Sequence, residues 1–144
     1  MVHRQILKEK AAKYLVCFNE NCPLHAHCLR WQVSRFVSDS RLVISCINPN
    51  LSQAVEGKCP AYRNDTPQPV ARGMVHFYDD MPRKTEVEIK TKLISRYGRT
   101  GYYDMRRGTR QITAEIQEEI RQVCCSCGWT VKLRFDGYSE ELVW

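Results

Sequence analysis

The sequence predicts an α+β fold that is mainly helical, with a cysteine-rich metal-binding N-terminal half, a helical basic segment and a C-terminal β-hairpin. Three observations support this prediction. Five cysteines are spread over residues 17–59, helical spacing of apolar residues prevails in the middle of the chain, and apolar and polar residues alternate near its end. A chain of 144 residues can bury one hydrophobic core. We therefore expect one compact unit with two regions, a cysteine-rich metal-binding region at 1–63 and a helical region with the hairpin at 70–144.

The first half is predicted to contain two helices, one strand and a linker. A charged helix is expected at 3–14, and a second helix is expected from Pro23 to about residue 36, because proline suits the first position of a helix. The β-branched apolar run at 41–47 predicts a buried strand. One helical turn is expected at 51–55, and the two prolines at 64–69 predict a linker.

Helices are predicted to dominate the second half. Apolar spacing indicates helices at 70–81 and 84–97, which a proline separates, and Gly98 fits the left-handed position just past a helix end. Thr113 is a suitable N-cap for a further helix at 114–124. These helices would form the larger part of the core.

The end of the chain carries the strand pattern. Apolar and polar side chains alternate from residue 129 to residue 135, which is typical of a strand with one buried face. Asp136 and Gly137 follow, and such a pair forms the two-residue turn of many hairpins. The sequence therefore predicts a β-hairpin over 129–144.

The spacing of the first cysteines predicts a metal centre. Cys17, Cys22 and Cys28 follow one another at short intervals, and Cys59 comes later in a polar, turn-rich setting. Thiolates from separate short segments can enclose one metal, so we expect these four residues to hold either Zn²⁺ or a [4Fe-4S] cluster. Structural zinc favours closer pairs, whereas a cubane cluster suits wider gaps. Partly buried thiols without metal are the remaining alternative.

Three further residues could change this ligand set. His25 and His27 lie between two of the predicted ligands and could replace one of them, which would favour zinc. Cys46 lies inside the predicted strand at 41–47. Because free cysteine is among the most frequently buried residues, we expect Cys46 to belong to the core.

A second group of thiols stands near the end of the last predicted helix. It consists of Cys124, Cys125 and Cys127. Adjacent cysteines do not readily ligate one ion with relaxed geometry, and three thiols are one short of a closed zinc site. We therefore expect thiols packed in the core at a helix end. The alternatives are a ligand donated to the first site and a redox pair.

No apolar run approaches the roughly 20 residues that cross a bilayer, and the first ten residues lack the apolar stretch of a signal peptide. The sequence thus predicts a cytoplasmic protein. Cytoplasmic thiols stay reduced, which favours metal ligands over a disulfide framework for the eight cysteines.

Positive charge is concentrated in the middle of the chain. Residues 83–112 contain nine Lys or Arg against three Asp or Glu, whereas residues 113–144 contain three against six. A basic segment beside an acidic one produces an electrostatic field that favours the binding of a polyanion such as nucleic acid at the basic face. A solvated helix face is the alternative explanation.

Residues 84–124 resemble a helix-turn-helix of the phage-repressor type. They are predicted to run helix, glycine turn, short basic and aromatic helix, glycine, and capped helix. The resemblance implies a DNA partner, with the short helix in the major groove and arginines on phosphates. The predicted nucleic-acid contacts are Arg99, Thr100, Tyr102, Tyr103, Arg106, Arg107 and Arg110. A hairpin at 101–112, a plain helical bundle and tyrosines stacked on single-stranded bases are the alternatives.

Several short motifs together resemble an uncharacterised family of small bacterial proteins, a domain of unknown function. They are Cys17, Cys22-Pro23, Cys28-Leu29-Arg30, Cys59-Pro60-x-Tyr62-Arg63, Tyr102-Tyr103 and Arg107-Gly108-x-Arg110. The resemblance covers the chain from about Tyr14 onward. It implies no established activity.

Enzymatic activity is not expected. The chain has no Gly-rich phosphate loop, no paired-carboxylate site and no HExxH motif, and His76 near Asp79 and Asp80 is a weak candidate for a triad. The leading hypothesis is a metal-binding, nucleic-acid-binding protein that acts as a DNA-binding regulator. The alternatives are a metal-stabilised protein-interaction module and an iron-sulfur redox protein.

Overall fold

The computed structural model describes residues 3–50 and 58–144, and within them the fold is α+β. The helices are α1 (Arg4–Lys10), α2 (Leu29–Ser34), α3 (Arg83–Arg107) and α4 (Ala114–Ser126), with a 3-10 turn at His25–His27. The strands are β1 (Gln68–Arg72), β2 (Ile112–Thr113) and β3 (Gly137–Glu141). Among these described residues, none of the helices has the length and hydrophobicity needed to cross a bilayer.

The chain divides into two compact units. Unit 1 comprises Met1–Pro67 and Leu142–Trp144, and unit 2 comprises Gln68–Glu141. The boundary falls inside the proline-rich stretch at 64–69. The last three residues therefore belong to the same unit as the cysteine-rich segment.

The helices of unit 1 are shorter than the sequence predicts. The helix expected at 3–14 is α1, whose first turn is capped by the ring of His3, which accepts the backbone N–H of Gln5. The helix expected from Pro23 begins only at α2, since a 3-10 turn precedes it. The buried cluster of this unit consists of Leu7, Ala11, Val16 and Val33, with Tyr14, Phe36, Val37 and Trp144 packed against it.

The buried strand predicted at 41–47 is wrong. One parallel bridge joins Val16 to Cys46, and the rest of the run is irregular. Leu42 is 98% exposed and Val43 is 77% exposed, and none of the strands in residues 3–50 and 58–144 covers them. Cys46 is also exposed, so its predicted place in the core is wrong as well. The helical turn predicted at 51–55 lies outside the described residues.

Unit 2 contains an antiparallel sheet with the strand order β2-β1-β3. The central strand β1 occupies part of the range predicted as a helix at 70–81, so that prediction is wrong. Val70 pairs with both Thr113 and Ser139, which places β1 between two partners. The apolar residues Met74, Phe77 and Tyr78 have a spacing that suggested a helix. They are buried, but they follow the strand in an irregular segment.

The predicted C-terminal β-hairpin is also wrong. Residues 129–136 form no strand, and β3 pairs with β1 instead. Asp136 does not make a hairpin turn. Its carboxylate accepts the backbone N–H groups of Val75 at 2.8 Å and His76 at 3.0 Å, which ties the segment after β1 in place.

The two long helices agree best with the sequence. The helix predicted at 84–97 is the first part of α3, which is interrupted at Gly98 (φ 75°, ψ 161°) and continues to Arg107. The alternative hairpin at 101–112 is therefore wrong. Thr113 caps α4 through the backbone N–H of Ile116, as predicted. The buried cluster of unit 2 consists of Ala71, Met74, Phe77, Tyr78, Ile89, Leu93, Tyr102, Met105, Ile112, Ile120, Cys124 and Phe135.

Candidate functional site

Unit 1 contains a cavity of about 480 Å³ that is rich in thiols. Cys17, Cys22, Cys28 and Cys59 all line it, and Cys46 lines it as well. All five are free thiols; Cys28 is buried, and Cys46 is the most open of the five to solvent. The structure therefore brings the four predicted ligands to one cavity, and it adds a cysteine that was expected elsewhere.

Backbone hydrogen bonds hold the cysteine-bearing segments together. The N–H of Cys17 donates to the carbonyl of Arg30 at 3.1 Å, and the N–H of Ile47 donates to the carbonyl of Val16 at 2.8 Å. On the other side, the N–H of Leu29 donates to the carbonyl of Arg63 at 2.8 Å. Segments that are far apart in sequence thus converge next to Cys17, Cys28, Cys46 and Cys59.

Arg30 is a buried cation at the wall of this cavity, and it is only 8% exposed. Its Nε donates to the carbonyl of Ala61 at 2.7 Å, and its Nη1 donates to the carbonyl of Leu15 at 2.8 Å. Leu15 lies two residues before Cys17, and Ala61 lies two residues after Cys59. One guanidinium therefore links two of the cysteine-bearing segments.

One of the two histidines also reaches the cavity. His25 lines it, and its Nδ1 lies 2.6 Å from the carbonyl oxygen of Cys22. A carbonyl can only accept, so Nδ1 carries a proton, and in the neutral ring the lone pair is on Nε2. The rings of His25 and Trp31 pack edge to face, with 4.7 Å between their centroids. His27 instead faces Asp65 at 3.4 Å and is not among the lining residues.

The surroundings of Cys17 disfavour a free thiolate at this residue. Burial raises the pKa of Cys17, the backbone of Asn19 opposes this shift, and the neighbouring thiols of Cys28, Cys22 and Cys59 raise the pKa further. A cation bound beside the sulfur of Cys17 would favour its thiolate form.

The side chains do not yet form a coordination sphere. Within residues 3–50 and 58–144, no group of three or more His, Cys, Asp or Glu side chains is arranged to hold a metal ion as it stands. The thiols share a cavity without meeting at one point. A rotation between staggered positions about Cα–Cβ moves a cysteine sulfur by about 3 Å, so ligation would require rotamer changes of this size.

The second thiol group lies at the end of α4 in unit 2. Cys124 is fully buried in the core, and burial, together with the thiols of Cys127 and Cys125, raises its pKa to about 12. Cys125 contacts Nη1 of Arg121 at 3.7 Å. Cys127 is the C-cap of α4 and bonds through its N–H to the carbonyl of Cys124. The buried position of Cys124 agrees with a thiol packed in the core.

The predicted nucleic-acid contacts differ widely in exposure. Arg99, Thr100 and Arg107 are exposed, whereas Tyr103, Arg106 and Arg110 are partly buried. Tyr102 is fully buried, and its hydroxyl lies 2.8 Å from that of Tyr78. The prediction of Tyr102 as a nucleic-acid contact is therefore wrong, because the core surrounds its ring.

Several of the arginines also have partners within unit 2. Arg107 forms an ion pair with Asp104, one turn earlier on α3. The guanidinium of Arg110 lies 5.7 Å from the ring centre of Tyr97, and that of Arg99 lies 5.9 Å from the ring centre of Tyr103. A nucleic acid at this surface would have to compete with these contacts or add to them.

Sequence reasoning missed Arg30 as a residue of the cavity, and it expected Cys46 in the core while leaving open that Cys46 could replace a ligand. Arg30 stands directly after Cys28-Leu29, and this position beside a predicted ligand is the signal that could have indicated it. Cys46 was assigned to the core because of its apolar neighbours. Cys46 is exposed because, among the described residues, its pairing is limited to one bridge to Val16, and the sequence pattern does not reveal this.

No curated protein and no solved structure matches the chain. A family model matches it over residues 1–144, and the model describes a family of unknown function. The match therefore covers both units and both groups of candidate residues, and it carries no activity with it.

Proposed function

The chain belongs to the family of unknown function DUF6078, and we propose from the geometry of its cavity that it is a metal-binding protein. In this proposal the ligands are the thiolates of Cys17, Cys22, Cys28 and Cys59. The observation that carries the proposal is that these four free thiols line one cavity of unit 1. Thiolates are soft ligands that select zinc and iron-sulfur clusters, so the metal is Zn²⁺ or a [4Fe-4S] cluster.

Electrostatics and surroundings support the same proposal. Four thiolates around Zn²⁺ would carry a net charge of about −2, and the buried Arg30, which also lines the cavity, contributes a positive charge to this unit. The apolar side chains of Phe18, Leu24 and Trp31 contribute to the lining of the cavity. Apolar walls lower the local dielectric, which would strengthen the attraction between thiolates and a cation.

Elemental analysis tests the metal proposal. The full chain is purified without oxygen, and zinc, iron and sulfide are measured together with the visible spectrum. We expect at least one zinc per chain in a colourless protein, or four iron atoms in a brown one. Cys28→Ser should lose most of the metal because it removes the buried ligand.

Cys125→Ser is the matched control, because this thiol lies in unit 2 outside the cavity. Its metal content should equal that of the wild type. Wild-type protein that contains no metal, or a Cys28→Ser variant with unchanged metal content, would contradict the proposal.

A second proposed function is DNA binding by unit 2, and the exposure of Arg99, Thr100 and Arg107 favours it. These residues lie in the part of α3 that follows the break at Gly98, and α4 follows after a second left-handed glycine, Gly108. The order helix, glycine, short helix, glycine, helix is the order expected of the helix-turn-helix resemblance, with the two-residue strand β2 added before the last helix. With the metal centre, this surface would make the protein a metal-dependent regulator.

Salt dependence tests the DNA proposal. Binding to mixed-sequence duplex DNA is measured by fluorescence anisotropy from low to moderate salt. We expect affinity to fall steeply with salt, and Arg99→Ala with Arg107→Ala should lower the slope of log affinity against log salt by about 2.

The matched control is Lys132→Ala with Arg134→Ala, since both residues are exposed outside α3. This variant should keep the wild-type slope. If the wild type does not bind at low salt, or if the two double variants behave alike, the proposal is wrong. The metal-stabilised interaction module or the iron-sulfur redox protein would then be the better hypothesis.

A further inference from the structure

We propose that the cavity of unit 1 holds two metal ions, and that Cys46 and His25 are the additional ligands that make the second ion possible. This inference rests on the metal-binding function proposed above. It adds a stoichiometry and two ligands to the four cysteines already assigned.

The number of donors at the cavity is the first argument. Five thiols and the imidazole of His25 line the cavity among the described residues. One zinc ion takes four ligands, which leaves two donors unused. Two tetrahedral ions have eight coordination positions, and six residues fill them when two thiolates each bridge both ions. The carboxylate of Glu20 is not needed, and it pairs with Arg35 at 3.1 Å.

The orientation of His25 is the second argument. Ligating histidines usually donate their other ring N–H to a carbonyl or carboxylate, which fixes the tautomer and the ring. The Nδ1 of His25 has this contact with the carbonyl of Cys22 at 2.6 Å. The Nε2 is therefore the nitrogen available to a metal. The edge contact with Trp31 limits the rotation of the ring.

The position of Cys46 is the third argument. The parallel bridge to Val16 sets Cys46 beside the segment that carries Cys17, and the N–H of Ile47 secures it at 2.8 Å. Cys46 is exposed and still lines the cavity, so it stands at the rim. A thiol there can complete a coordination sphere that faces solvent and gives a metal ion a route inward.

The size of the cavity agrees with more than one ion. An accessible volume of about 480 Å³ is many times the roughly 10–15 Å³ that one water molecule needs on the same measure. Paired metal ions in proteins stand about 3.5–4 Å apart, which this space accommodates. A cubane cluster would also fit, but it needs only four thiolates and leaves Cys46 and His25 without a role.

Zinc and cadmium serve as the probes. The full chain is stripped of metal with a chelator under reducing conditions, loaded with Zn²⁺ and freed of excess ion, after which zinc per chain is counted. We expect two zinc ions in the wild type and one in Cys46→Ser. His25→Gln should also retain one. Cadmium NMR should show two signals in the wild type and one in each variant.

Cys125→Ser is again the control and should bind two zinc ions. Cys46 is exposed, so its substitution leaves the fold intact, which circular dichroism checks. One zinc in the wild type, two zinc ions in Cys46→Ser, or four iron atoms with sulfide that Cys46→Ser retains would overturn this inference alone. A wild type that binds no metal would overturn the proposed function with it.

Discussion

Unit 2 packs twelve buried residues into one hydrophobic cluster, whereas the cluster of unit 1 contains four among the described residues. The two units are of similar length, so the difference lies in how each is stabilised. A small core rarely supplies more than about 3–5 kcal/mol, and proteins of that size often add a structural metal. Unit 1 therefore has the greater need for a metal centre.

The two units also differ in how they satisfy their buried polar groups. In unit 2 the sheet and two long helices satisfy most backbone groups locally. Unit 1 relies on side chains that reach across the fold. Arg30 bonds to the carbonyls of Leu15 and Ala61, and Arg41 bonds to those of Ala11 and Ala12. Irregular structure held by a few long side chains is sensitive to the loss of any one of them.

Removal of the metal should produce the largest difference between the units. A chelator should destabilise unit 1 by up to about 10 kcal/mol, since binding of a structural metal is coupled to folding. Amide hydrogen exchange, measured by mass spectrometry with and without chelator, should show protection lost in unit 1 and retained in α3 and α4. An equal loss of amide protection in both units would mean that the metal does not stabilise unit 1 more than unit 2.

A cavity in the core of unit 2 should have the second largest effect. Leu93→Ala removes a fully buried side chain of α3, and we expect unit 2 to lose about 2–5 kcal/mol. Urea unfolding followed by circular dichroism measures the loss. Val87→Ala on the same helix is the control, because Val87 is 50% exposed and its truncation should cost less than about 0.5 kcal/mol. Similar costs for the two variants would refute the assigned core.

Loss of the buried guanidinium should act on unit 1. Arg30→Ala leaves the carbonyls of Leu15 and Ala61 without this donor, and we expect a loss of about 2–3 kcal/mol and weaker metal binding. Arg30→Lys should recover only part of the stability and part of the metal affinity, because an ammonium lacks the planar, forked donors of a guanidinium. Arg35→Ala is the control, since its ion pair with Glu20 is exposed. Thermal unfolding measures the loss of stability, and a competitive zinc titration measures the metal affinity. Unchanged zinc affinity in Arg30→Ala would contradict a role of Arg30 in the metal site.

The smallest expected effect depends on pH and belongs to unit 2. Arg72 holds Glu141 through two hydrogen bonds of 2.8 and 3.1 Å across β1 and β3, which lowers the pKa of Glu141 below 4.5. A lowered folded-state pKa stabilises the protein above pH 4.5, and the contribution disappears as the pH falls through the folded-state pKa.

The variant Glu141→Gln tests this contribution. We expect it to lose about 1 kcal/mol or less at neutral pH, because the pair is partly exposed. Its melting temperature should approach that of the wild type as the pH is lowered below 4.5 and through the folded-state pKa of Glu141. A difference that stays constant down to the lowest pH at which the wild type remains folded would exclude the ion pair as its cause.

Local signals predicted α3 and α4 well. Gly98 and Thr113 mark a helix interruption and a helix start through their own backbone and side-chain chemistry, so a single sequence reveals them. Local chemistry also indicated the four cysteines that line the cavity. Short intervals between Cys17, Cys22 and Cys28 keep these three residues in one part of the fold, and all three line the cavity.

The errors concern residues whose environment depends on distant partners. The strand β3 pairs with β1, which lies about seventy positions earlier, instead of with the segment before Asp136. Alternation of apolar and polar residues predicts a face but does not identify the strand that will cover it. Tyr102 was expected on a surface, and the hydroxyl of Tyr78 shows that it faces the core.

The sequence by itself determined the positions of the two long helices, the predominance of thiols in the first half and the basic character of residues 83–112. These follow from local propensity, spacing and charge. Only the tertiary structure decided that Cys46 and Arg30 join the cavity and that the C-terminal strand pairs with β1. Burial depends on which distant surface covers a side chain, and a linear pattern of apolar residues does not contain that information.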